Sequence, residues 1–124
     1  MNIRKCIAAA RISGPSLGAD GTTVFEFGFK ADHPAFAGHF PTHPLLPGVF
    51  QLEMSRAAAE WAMGCGMAIG EVSKAKFQRP ILPGEVIHLE LKWTETEDSI
   101  LARADFSVGG QRAGQSILKL WRRK

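Results

Sequence analysis

The sequence predicts an α+β domain in which one long buried helix is wrapped by a curved antiparallel β-sheet. Residues 49–63 form the one good helical segment, apolar around most of its circumference, and such a helix has to be covered on nearly every side. Flanking segments alternate apolar and polar residues with a period of two, the pattern of half-buried strands. The later strands are joined at Asp98-Ser99 and Gly109-Gly110, tight turns that connect antiparallel neighbours. Five or six such strands with one helix to bury cover it by curling around it.

Taken in order, residues 3–12 read as a first strand, followed by a turn-rich stretch over 13–21. Thr23, Phe25, Phe27 and Phe29 then alternate with Val24, Glu26, Gly28 and Lys30, which predicts a strand. Between 31 and 48, Pro34, Gly38, Pro41, Pro44, Pro47 and Gly48 exclude regular structure, while Phe36, Phe40, Leu45 and Leu46 make the loop a packed one. On the helix, Phe50, Met54, Ala57, Ala58, Trp61 and Cys65 share a broad apolar face, and Leu52, Ala59 and Met63 cover much of the other side. The polar remainder is mainly a narrow strip of Glu53, Arg56 and Glu60, plus Gln51 and Ser55. Gly64, Gly66 and Gly70 end the helix. Residues 71–78 read as a short, mixed strand and 80–84 as a loop. Ile87, Leu89, Leu91 and Trp93 alternate cleanly within 85–97, and strands at 99–108 and 111–121 complete the sheet.

At 124 residues the chain fits a single domain over 1–124. Its 45% hydrophobic and 22% charged residues describe a soluble globular protein. The apolar patch near the N-terminus is cut by Arg11 and a Gly-Pro turn, a poor signal peptide, so a cytoplasmic location is expected. Cys6 and Cys65 match no ligand spacing and read as reduced thiols. The net charge is +3, and the dense basic cluster is the tail Arg122, Arg123 and Lys124. With no nucleic-acid-binding motif, a nucleic-acid partner is not expected.

The chemistry-bearing residues concentrate between His39 and Glu53. His39 stands between Gly38 and Pro41, where a neutral imidazole can act as a base near pH 7 or simply pack. Glu53 lies early in the helix; among apolar neighbours a carboxyl group can hold a proton to donate. The other reading places Glu53 in a solvated strip, ion-paired with Arg56 in the manner of i,i+3 neighbours. Gly48 precedes a helix with no Ser, Thr, Asp or Asn cap, which leaves N–H groups for a plain capping turn or for a developing oxyanion. His33, His39 and His43 invite a metal reading, but Pro41 and Pro44 keep the last two off a helix and nothing completes the ligand set. No metal and no cofactor are expected.

The stretch GHFPTHPLLPGVFQLE at 38–53, with KFQRPILPGE at 76–85, resembles the 3-hydroxyacyl-acyl-carrier-protein dehydratases of the FabZ/FabA type, a branch of the hotdog fold. The likeness extends over roughly residues 22–95. It implies a homodimer, from which larger assemblies of dimers can be built, with each active site shared between two subunits. By position it implies His39 as the base and the partner's Glu53 as the acid. It also implies thioester-oxygen contacts from the N–H of Gly48 and Val49, and an imidazole oriented by the Leu45 carbonyl. Phe40, Phe50, Met54, Phe77, Pro80 and Pro83 would then line the acyl tunnel. Basic Lys74, Lys76, Arg79, Arg122 and Arg123 would dock the acidic acyl carrier protein.

The resemblance has departures. The family commonly carries Gln where this chain has Ala57, and a small residue where it has Arg56. A guanidinium beside a carboxylate favours its charged form and opposes a general-acid role. Two other functions stay open from sequence: a hotdog thioesterase, which needs a carboxylate to activate water, and a non-catalytic hotdog subunit that binds an acyl carrier.

Overall fold

The computed structural model describes residues 2–36 and 45–123. The chain begins with a helix, α1 (Ile3–Ala10), where the sequence reading placed a strand. Asn2 caps it, its side chain accepting from the Lys5 N–H at 3.1 Å. Ile3, Cys6, Ile7 and Ala10 then share one face by helical spacing, with Ile7 and Ala10 buried. The first strand, β1 (Arg11–Leu17), starts only after that helix and runs through the stretch read as turn.

The sheet continues with β2 (Thr23–Gly28), β3 (Met67–Phe77), β4 (Val86–Glu95), β5 (Ser99–Val108) and β6 (Gln111–Arg122). Its order is β1-β2-β4-β5-β6-β3, every pairing antiparallel. The alternation read from sequence sets the inward face: Phe25 faces Leu89 and Phe27 faces Ile87 across β2 and β4. Ile100, Ala102, Ala104 and Phe106 of β5 continue that face, as do Leu118 and Leu120 of β6. Strand β3 is longer than expected, and its residues Gly70 to Phe77 are exposed in the isolated chain on both faces.

The long helix, α2 (Gly48–Met63), lies across the concave face. Gly64 stops it in the left-handed region at φ 72°, its N–H donating to the Glu60 carbonyl. Trp61 packs tilted against Phe25 and stacks on Phe27, at centroid distances of 5.9 and 6.1 Å, and the Arg11 guanidinium caps its ring at 4.1 Å. Within the polar strip on α2, Arg56 departs from the solvated reading. It is buried, as are Gln51 and Ser55, because the sheet and α1 enclose that side. Among the described residues no helix is long and apolar enough to cross a membrane.

Candidate active site

The approach to α2 is held by the second proline-rich loop. The Leu46 N–H donates to the Ile81 carbonyl at 2.8 Å. That loop is clamped by Arg79, whose guanidinium makes a two-pronged contact with Glu85 at 3.0 and 2.8 Å. Glu85 also accepts from the Leu82 N–H at 2.7 Å. The Arg79 hydrogen bond, with the Leu82 contact adding to it, holds the Glu85 carboxyl below its ordinary pKa, and the same pairing raises that of Arg79.

Pro47 stands at the N-cap of α2 and supplies no side-chain hydrogen bond. Its carbonyl accepts from the Phe50 N–H at 3.0 Å. Among the described residues, the N–H groups of Gly48 and Val49 at the positive end of the helix have no acceptor. Phe77 lies directly against Gly48: a Cβ at that position would stand 2.7 Å from the Phe77 ring. The space in front is a cavity of about 350 Å³ lined by Leu45, Leu46, Gly48, Gln51, Phe77, Arg79 and Pro80. Mostly apolar walls around a helix N-terminus suit an apolar chain ending in a group that develops negative charge.

Glu53 lies outside the walls of that cavity. Its Oε2 accepts from Arg56 Nε at 2.7 Å, and its Oε1 has no partner among the described residues. Arg56 is 2% exposed. Its Nη1 also lies 2.8 Å from Glu60 Oε2, and that oxygen accepts from the Met67 N–H at 2.7 Å. Arg4 stands 3.8 Å from the same oxygen. The ion pairs expected between Glu53, Arg56 and Glu60 are therefore present, with the guanidinium buried.

The other residues singled out in the sequence divide as follows. Phe77, Pro80, Leu45 and Gly48 meet at the cavity, whereas Val49 is exposed. Phe50 and Met54 belong to the core, Phe50 packing edge-on against Phe29 at 5.7 Å. Pro83 lies in the loop away from the lining. His39 and Phe40 lie outside the described residues. His33 has a structural role, its Nδ1 accepting from the Ala35 N–H at 3.0 Å against the Phe29 ring. Lys74 and Lys76 are exposed on β3 and Arg123 at its neighbour's end, while Arg122 pairs with Glu95 at 3.0 Å and Arg79 is engaged with Glu85. The sequence reading missed Gln51 as a cavity residue; its place one turn after Gly48 was the available signal.

An antiparallel sheet curled around one central helix, with a cavity at the helix N-terminus, defines a hotdog-fold protein. Comparison with known proteins narrows the class. A sequence model of the ApeI-like family, described as ApeI dehydratase, matches residues 17–116. The 3-hydroxyacyl-[acyl-carrier-protein] dehydratase FabZ of Natranaerobius thermophilus is 34% identical over 97 residues, covering 72% of this chain and 68% of that protein. The dehydratase heterocomplex ApeI:P from Xenorhabdus doucetiae superposes with a TM-score of 0.73 at 27% identity, covering 90% of this chain and 96% of that one. The E. coli PaaI protein shares the fold, with a TM-score of 0.70 at 15% identity over 97% of this chain and 89% of its own. The chain belongs to the ApeI-like dehydratase family, whose members are hydro-lyase enzymes.

Proposed function

We propose that the protein dehydrates 3-hydroxyacyl thioesters carried on acyl carrier protein to trans-2-enoyl thioesters, in cytoplasmic fatty acid or related acyl-chain synthesis. The observation that carries this reading is the open N-terminus of α2 facing an apolar cavity, in a chain whose relatives are dehydratases. His39 removes a proton from C2. The electron pair moves toward the thioester oxygen, where the N–H groups of Gly48 and Val49 stabilise the charge. The C3–O bond then breaks, and Glu53 protonates the departing hydroxyl, which leaves as water. Arg56 holds Oε2 of Glu53, so Oε1 is the oxygen that carries the proton.

Glu53 does not line the cavity that Gly48 opens into, which supports an acid supplied by a second subunit. A homodimer supplies it, and exposed Lys74, Lys76 and Arg123 form the basic surface for an acidic carrier. Purified protein will hydrate a trans-2-enoyl thioester, followed as loss of enoyl absorbance. His39→Ala and Glu53→Gln will each abolish that reaction; full activity in both variants overturns the assignment. Thioester cleavage without hydration would identify a thioesterase instead, a function that the family match does not favour.

A further inference from the structure

Gln51 is a buried amide with an unanswered polar atom beside the proposed thioester site. The residue is 3% exposed, and its Oε1 is closed off from solvent with no hydrogen-bond partner among the described residues. The neighbouring polar groups are satisfied: Ser55 Oγ donates to the Gln51 backbone carbonyl at 3.0 Å and lies 2.8 Å from Ser116 Oγ. Arg79, the other polar side chain lining the cavity, is engaged with Glu85.

The fold also makes a seat for this amide. Gly114 lies opposite Phe77 in the β3–β6 ladder, and a Cβ there would stand 2.8 Å from Gln51 Oε1 and 2.7 Å from the Lys76 carbonyl oxygen. A larger residue at 114 would displace the carboxamide. A buried polar atom left unpaired costs stability, and such a cost persists where a ligand supplies the missing partner.

We propose that the Gln51 carboxamide recognises the 3-hydroxyl of the acyl substrate and so distinguishes a 3-hydroxyacyl chain from the enoyl product and from saturated chains. This rests on the reading that Gly48 receives the thioester oxygen. Helix residues three apart share a face, with Cβ atoms about 5–6 Å from each other. The two-carbon reach from thioester carbonyl to C3, with one hydrogen bond added, covers that span. The apolar walls from Leu45, Leu46, Phe77 and Pro80 offer the hydroxyl no competing partner. The hydroxyl leaves as water, so the contact is made by the substrate and lost in the product.

The test replaces the amide by a side chain of similar length without hydrogen-bonding groups, Gln51→Met. In the dehydration direction, with 3-hydroxyoctanoyl-pantetheine, KM should rise about tenfold with kcat little changed, as for a contact present in both bound substrate and transition state. In hydration of trans-2-octenoyl-pantetheine, KM should hold while kcat falls by the same factor. Direct binding removes the dependence on turnover: His39→Ala protein should bind 3-hydroxyoctanoyl-pantetheine about tenfold more tightly than octanoyl-pantetheine, and addition of Gln51→Met should erase that preference. The melting temperature of Gln51→Met should be unchanged or higher, because no internal partner is lost. A lower melting temperature with the preference intact makes Gln51 structural and overturns the proposal. Enzyme that is inactive yet still shows the Gln51-dependent preference refutes the dehydratase reading alone. Binding of neither ligand refutes both.

Discussion

At the scale of single residues, Arg56 is the feature that most alters the meaning of the sequence. A polar i,i+3 and i,i+4 set on a helix ordinarily describes a solvated face worth a few tenths of a kcal/mol per pair. Here the guanidinium is 2% exposed and serves Glu53 and Glu60 at once. The planar fork of arginine suits two carboxylates in different directions, which the single ammonium of lysine cannot serve equally. Arg56→Met leaves both carboxylates without their shared cation. We expect a loss of about 3 kcal/mol, the lower end for a broken buried pair because both carboxylates keep some solvent contact. The denaturant midpoint, at unchanged slope, measures it. Arg56→Lys should recover only part of that stability. The contact also fixes Glu53 in one orientation.

At the scale of elements, the loop between β3 and β4 is the part that responds to pH. Glu85 has its carboxyl pKa lowered from 4.5, chiefly by Arg79. A depressed folded-state pKa stabilises above the unfolded value and loses that contribution as pH falls through the folded one. Protection of the Leu82 amide from hydrogen exchange should therefore persist on acidification past pH 4.5 and disappear below it. Glu85→Ala should expose that amide at every pH. Protection that ends well above 4.5 in the native protein would refute the role given to the pair. Since the Ile81 carbonyl holds Leu46, loosening this loop also loosens the approach to Gly48.

At the scale of the whole molecule, β3 lies at one edge of the sheet, paired among the described residues only with β6. Its residues from Gly70 onward, Val72 and Phe77 among them, are exposed in the isolated chain. An unprotected long edge is a site for pairing with another strand, here a second copy of β3. Val72→Asp places a charge on that edge. It should convert a dimer to monomer in mass-resolved chromatography and remove enoyl hydration with it, while far-ultraviolet circular dichroism stays native. Activity in a confirmed monomer would refute the shared site.

The alternation of Phe25 and Phe27, of Ile87, Leu89 and Leu91, and the all-round apolar helix from Val49 determined the sheet, the helix and their mutual burial without any structure, because side-chain period and turn chemistry are local properties. The HFP and PGV motifs likewise carried the family. The N-terminal segment was misread as a strand: Ile3, Cys6, Ile7 and Ala10 fit a helix, but so short a segment is settled by docking on α2 rather than by its own propensity. Only the tertiary structure decided that Arg56 and Gln51 are interior. A helical wheel ranks faces by polarity, but which face is covered depends on where β3, β6 and α1 close over α2. Burial is a sum over distant parts of the chain, and it turns a nominal solvent strip into a carboxylate clamp and sets the Gln51 carboxamide at the cavity wall.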